Sequence, residues 1–91
     1  MPKTITVLVD DFIRRDDAKR IFDTEKRKTN GIVLMSNMFP GCMDVERRME
    51  IILAMVGIAD EVIIYNKHEI KNKKLFIDIA TTLEKKVKKR N

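Results

Sequence analysis

The order of apolar runs along this chain predicts an α/β domain, a minimal Rossmann-like three-layer arrangement around a short parallel sheet. Three observations predict it. Residues 5–9, 32–35 and 61–65 are short β-branched runs with little polar alternation, the pattern of strands buried on both faces. Stretches with helical spacing lie between and after them. The resulting β-α-β-α-β-α order calls for right-handed crossovers and a strand order 2-1-3.

Taken in order, Ile5-Thr6-Val7-Leu8-Val9 is the first strand, and it stops at Asp10-Asp11. A helix is expected from about Arg14 to Lys28, with Ala18, Ile21 and Phe22 as its apolar stripe and Asp16 and Asp17 in its first turns, where carboxylates favour the dipole. Thr29-Asn30-Gly31 reads as a stop signal, with Asn or Gly supplying a left-handed C′ residue. Ile32-Val33-Leu34-Met35 is the second strand, and residues 36–43 form a loop that turns at Pro40-Gly41. Asp44 is a candidate N-cap. Val45, Met49, Ile52, Leu53 and Val56 then share one helical face, widened by Ile51, Ala54 and Met55 beyond what one small sheet needs. A second chain would cover the excess. Glu61–Tyr65 is the third strand. A last helix from about Lys74 carries Phe76, Ile79, Ala80, Leu83 and Val87 on one face. Val87 could instead begin the stub of a fourth strand, with too little chain left for a full one. Strand three would then be an exposed edge, a second hint of a homodimer.

The 91 residues make one small domain, 1–91, with a basic C-terminal tail at 85–91. No apolar run reaches the length of a membrane span, and the N-terminus lacks a signal-peptide layout. The single Cys42 excludes an internal disulfide framework, which fits a cytoplasmic setting. The net charge of +5 is unevenly placed: residues 66–91 hold nine Lys/Arg against three Asp/Glu. The tail cations read either as a solvated helix end that offsets the dipole or as a contact for phosphate, nucleic acid included, or an acidic partner. No His/Cys/Asp spacing resembles a zinc site, no cofactor motif is present, and no helix-turn-helix or RNA-binding signature appears.

In an open α/β sheet, ligands bind outside the carboxyl ends of the strands, where the strand order reverses. The segment 65–74 falls there. It also carries a resemblance. Gly31-Ile32-Val33-Leu34-Met35 with Met38-Phe39 in the following loop, Ile58-Ala59-Asp60-Glu61-Val62-Ile63-Ile64-Tyr65-Asn66, and Ala80-Thr81-Thr82-Leu83-Glu84-Lys85-Lys86-Val87 together resemble the nucleoside 2-deoxyribosyltransferase-like family, including its small phage-type members. The resemblance implies a nucleoside or nucleotide site at the sheet's carboxyl edge, and in many members a Glu nucleophile at the start of the last helix that traps an oxocarbenium-like sugar. Here Phe76 stands where that Glu is expected, with Asp78 the weak alternative two residues on. Lys67 to Lys74 replace the family's Gly-rich loop, and Asp10-Asp11-Phe12 replaces its Gly-Ser turn.

The expected reading is therefore a nucleotide-like small molecule held without turnover. Asp10, Asp11, Phe12, Asn37, Phe39 and Asn66 line the cleft, and Lys73 and Lys74 attract phosphate. Two alternatives stay open. One is N-glycoside hydrolysis or transfer using Asp78, or Asp10 and Asp11. The other is a dimeric, viral-type interaction module that uses the second helix and the exposed edge. His68, the only histidine, and Cys42 read as unremarkable side chains.

Overall fold

The computed structural model describes residues 2–38 and 44–91. Four strands and three helices alternate: β1 (Thr4–Leu8), α1 (Arg15–Lys26), β2 (Ile32–Met35), α2 (Val45–Ile58), β3 (Glu61–Tyr65), α3 (Lys73–Thr82) and β4 (Lys86–Arg90). All pairings are parallel and the order is β2-β1-β3-β4. The Rossmann-like layering expected from the sequence is present, with the order reversal between β1 and β3.

The pleat sorts the core into two halves. Ile5, Val7, Val9, Val33, Met35 and Ile63 point to one face and meet Ala18 of α1, with Ile21 and Phe22 beside them. Leu8, Val62 and Ile64 point to the other face and meet Ile52 and Val56 of α2 and Phe76 and Ala80 of α3. Thr6 also lies on this second face, fully buried, and its hydroxyl donates to the Met55 carbonyl at 2.7 Å, so α2 is pinned to β1. A buried hydroxyl without such a partner would be costly. α2 begins as expected: the Asp44 carboxylate accepts the Arg47 N–H at 2.8 Å.

Three expectations are corrected. First, the last helix does not reach Val87. It ends at Thr82 in a Schellman motif, with Lys85 N–H donating to the Ala80 carbonyl and Glu84 N–H to the Thr81 carbonyl. Glu84 takes the left-handed conformation at φ 59°. Glycine usually fills that position, so helical spacing alone carried the reading too far. Leu83, placed on the core stripe by that spacing, is 49% exposed. Second, the "tail" is a full five-residue strand, and it covers β3. The β3 edge on which a second copy was to pair is therefore occupied. Third, neither Asn30 nor Gly31 adopts a positive φ. Gly31 answers a different demand: a Cβ there would lie 1.9 Å from the Lys3 carbonyl oxygen, where β2 starts against β1. The Pro40-Gly41 turn and Cys42 lie outside the described residues. Among the described residues, no helix is long and apolar enough to cross a membrane.

Candidate functional site

The β1 exit is fixed from three sides. From the β2 exit, the Ser36 hydroxyl accepts the Val9 N–H at 2.9 Å and donates to the Val9 carbonyl at 3.2 Å. From the β3–α3 loop, His68 Nδ1 accepts the Asp10 N–H at 3.1 Å. From α2, Arg48 pairs with Asp11 at 3.1 Å. Within the loop, the Asp10 carboxylate accepts the Phe12 N–H at 2.8 Å, an Asx turn that tightens the entry to α1. Both acidic side chains are thus engaged locally. Phe12 is not: it is 89% exposed.

The β3 exit is held as firmly. Asn66 N–H donates to the Arg90 carbonyl and His68 N–H to the Tyr65 carbonyl. The Lys73 ammonium folds back to donate to the carbonyls of Asn66, at 3.1 Å, and His68, at 2.8 Å. Ile70 is buried and anchors the loop in the core below. Asn72, in the left-handed conformation at φ 64°, turns the chain into α3.

Between the two exits lies an open cleft of about 580 Å³, with residues 10–12 on one side and residues 66–71 and Lys73 on the other. A smaller recess of about 160 Å³ continues from Asp11 and Phe12 down to Arg48, Met49, Asn72 and Phe76. The cleft straddles the point where the strand order reverses. Its size falls within the range of small-molecule pockets. Its lining carries carboxylates from Asp10, Asp11 and Glu69 and ammonium groups from Lys67, Lys71 and Lys73. Asp11 is matched to Arg48 and Lys73 to backbone carbonyls. Lys67 and Lys71 are thus the lysines of the lining without such an engagement.

Of the residues singled out from sequence, the cleft brings together Asp10, Asp11, Phe12, Asn66 and Lys73. Lys74 is exposed and does not line it. Asn37 sits at the β2 exit, half-buried, and its Oδ1 is enclosed without a hydrogen-bond partner among the described residues. Phe39 lies outside those residues. Phe76, at the family's nucleophile position, is 1% exposed and packs into the core, touching the cleft system only at the floor of the recess. Asp78 is exposed and lines neither the cleft nor the recess. α3 has no acidic residue in its first turn.

His68 is the site residue that sequence reasoning passed over. Its Nδ1 accepts a backbone hydrogen bond, so the ring proton sits on Nε2. Its ring lies 5.4 Å from that of Tyr65. The available signal was positional: a single imidazole three residues past a strand, inside the loop at the order reversal.

A second polar cluster sits on the α1 face. Glu25 of α1 is 1% exposed yet charged. It accepts from the Tyr65 hydroxyl at 2.7 Å and from Arg90 through Nε at 3.2 Å and Nη2 at 3.1 Å. Burial alone would raise its carboxyl, but the hydrogen bonds from Arg90 and Tyr65 outweigh that and hold it below its ordinary value. Burial, with the Glu25 hydrogen bond, pushes the Tyr65 phenol up. The Glu25 hydrogen bond raises Arg90 in turn. The cluster ties the last residue of β4 to α1. Beside it, an open cleft of about 430 Å³ lies over β1, β3 and β4, walled by Lys3, Lys28, Lys88 and Arg90 with Glu25 and Glu61 in its lining. Lys88 pairs with the buried Glu61 at 3.1 Å. Among the described residues, no cluster of His, Cys, Asp and Glu could hold a metal ion.

The fold and the cleft define a small doubly wound α/β domain with a ligand-sized opening at its topological switch point. A scan against protein-family models finds no match for this chain, and no curated protein sequence matches it.

Proposed function

We propose that the chain binds a nucleoside or nucleotide derivative in the switch-point cleft and holds it without turnover, as a reduced relative of the deoxyribosyltransferase-like family. The observation that carries this reading is Phe12: an aromatic ring 89% exposed at the wall of a cleft of about 580 Å³ beside the β1 exit. An aromatic face left in water at a concave site suits stacking against a planar base. Asn66, the free lone pairs of Asp10 and the ring of His68 supply hydrogen-bonding groups for sugar hydroxyls. Lys67 and Lys71 supply charge for one phosphate. Three ammonium groups balanced by three carboxylates suit a nucleoside or a monophosphate better than a polyphosphate. The absence of turnover is supported by α3, whose first turn carries no carboxylate and buries Phe76 in the core beneath the neighbouring recess. A cytoplasmic setting, where such ligands are abundant, fits this reading.

The test is a thermal-shift screen with nucleosides, monophosphates and triphosphates, run beside an assay for released base. A binder of this class raises the melting temperature with ligand concentration. The shift should be largest for nucleosides and monophosphates, and Phe12→Ala should abolish it without lowering the ligand-free melting temperature. No shift with any member of the panel overturns the proposal. Release of free base replaces it with a glycosidic activity, for which Asp10→Asn, Asp11→Asn and Asp78→Asn identify the carboxylate.

A further inference from the structure

We propose that β4 is a docking edge for an extended acidic segment of a partner protein, which joins the sheet as a fifth strand. The backbone geometry comes first. In a parallel ladder, the N–H and C=O of one residue point to the same side of the strand. The Arg90 carbonyl accepts from Asn66 N–H, so Arg90, Lys88 and Lys86 address β3. Val87 and Lys89 therefore direct their N–H and C=O groups away from the sheet. β4 is the last strand in the order, and among the described residues nothing pairs with those groups. They are a template for strand addition.

The side chains select what is added. β4 reads Lys-Val-Lys-Lys-Arg, four cations in five residues. Lys86, Lys88 and Arg90 stand on the α1 face, in register with Glu61, Ile63 and Tyr65. Val87 and Lys89 stand on the α3 face. Arg90 is committed to Glu25 and Lys88 to Glu61, while Lys86 and Lys89 are exposed and make no ion pair among the described residues. Like charges directly opposite one another destabilise a strand pair, so a second copy of β4 is excluded as the occupant. An acidic strand is favoured by the same term. Its pattern follows from the pleat: acidic side chains beside Lys86 and Lys88 on one face, an apolar one beside Val87 on the other, and an acidic one beside Lys89.

The α1 face next to β4 is also uncovered. α1 packs over β1, β2 and Ile63 of β3, and beside its C-terminal end the open cleft of about 430 Å³ runs across β1 and β3 to Lys88 and Arg90 of β4. A fifth strand would wall this cleft along its open side. A nucleic-acid strand fits less well. Glu25 and Glu61 lie in the cleft lining, and neither aromatic beside β4 offers a free face: Phe76 is buried in the core, and Tyr65 is half-buried with its hydroxyl held by Glu25. Single strands bind on exposed aromatic platforms.

The experiment uses the ¹⁵N-labelled full chain titrated with a short synthetic peptide built on Glu-Val-Glu-Glu, the pattern that complements Lys86 to Lys89. Controls are the same peptide with Lys for Glu and a single-stranded oligonucleotide. The acidic peptide should bind, weaken with added salt, and slow amide exchange at Val87 and Lys89 specifically. Lys86→Glu combined with Lys89→Glu, two exposed positions that leave the buried pairs intact, should lower its affinity about tenfold and admit the Lys peptide instead. Failure of the acidic peptide to bind overturns the proposal. Binding without protection of Val87 and Lys89 reduces it to a general polyanion contact and overturns it too. Binding of the oligonucleotide in place of the peptide assigns the edge to nucleic acid.

Discussion

β2 and β4 each have a single neighbour in the sheet, and they treat their outer edges in opposite ways. β2 has no charged side chain: its sequence is Ile-Val-Leu-Met, with Ile32 52% exposed. Its outward-facing backbone is capped locally instead. Gly31 N–H donates to the Thr29 hydroxyl at 3.0 Å, and its carbonyl accepts from the Lys26 ammonium. Met35 N–H donates to the Met38 sulfur at 3.3 Å, and its carbonyl accepts from Met38 N–H. Val33 alone is left between the two caps. β4 has no such caps at Val87 and Lys89 and relies on charge. An apolar edge cannot repel a neighbouring chain, so its backbone has to be occupied. A charged edge repels copies of itself and can leave its backbone open. The first edge is closed to all strands, while the second is closed only to basic ones.

The largest effect should come from the cluster that holds β4 in place. Glu25→Gln keeps the shape but removes the charge that Arg90 and Tyr65 share. Breaking a buried pair of this kind costs about 3 kcal/mol. The carboxyl is held below its ordinary value of 4.5 in the folded chain. Its contribution is therefore complete above that pH and is lost as the pH falls through the lowered value. Urea unfolding of wild type and variant should differ fully at neutral pH, with the gap shrinking below about 4.5 and closing in stronger acid. A gap that does not change with pH would mean that Glu25 acts through packing alone, and the charge-held attachment of β4 would fail.

At the other edge, Gly31→Ala should cost about 2 kcal/mol. The added Cβ meets backbone, the Lys3 carbonyl, rather than a side chain that can swing away. Relief requires β2 to move from β1, which breaks the 2.8 Å bond from Ile32 N–H to the same carbonyl. Urea unfolding measures this, and a variant of unchanged stability would show that β2 does not start in this register.

Helices and strands with a clean period could be read from sequence because burial on one face or both imposes that period. β1, β2, β3, the core stripe of α1 and that of α2 from Met49 to Val56 fall in this class, although Val45 and Ala54, placed on the same α2 face, are exposed; so does Phe76, whose helical phase alone marked it as core. What escaped depended on single residues that break their own statistics. Glu84 ends α3 in a conformation that glycine usually supplies, so the helix looked longer and β4 was reduced to the stub of a strand at Val87. Lys86 to Arg90 read as a basic tail with at most a strand stub because a strand of four cations matches no strand pattern. Gly31 was noticed for the wrong reason, a turn conformation instead of a close approach. The cleft was legible as a location, since the switch point follows from strand order. Its chemistry was not. His68 and Lys73 are used through their hydrogen bonds to backbone, contacts that link residues 58 and five apart and leave no periodic trace.

The smallest energetic effect, and the sharpest test of the contrast between the edges, is expected at Met38. Its side chain is 59% exposed, so Met38→Ala should change global stability by less than about 0.5 kcal/mol. It removes the sulfur that Met35 N–H meets, and nothing in the described residues replaces it. A sulfur is a weak acceptor, which is why the stability cost is small. The exposed N–H is nonetheless the group that lets another strand begin to pair. Exchange of the Met35 amide should quicken while that of Leu34, which faces β1, stays unchanged. Light scattering at rising concentration should show more self-association than wild type, built on the apolar Val33–Met35 edge. Val33→Lys in the Met38→Ala background should bring association back to the wild-type level by giving β2 the protection that β4 already has. If Met38→Ala associates no more than wild type and Met35 exchange is unaltered, the sulfur is not the cap, and the difference between the two edges lies in side-chain charge alone.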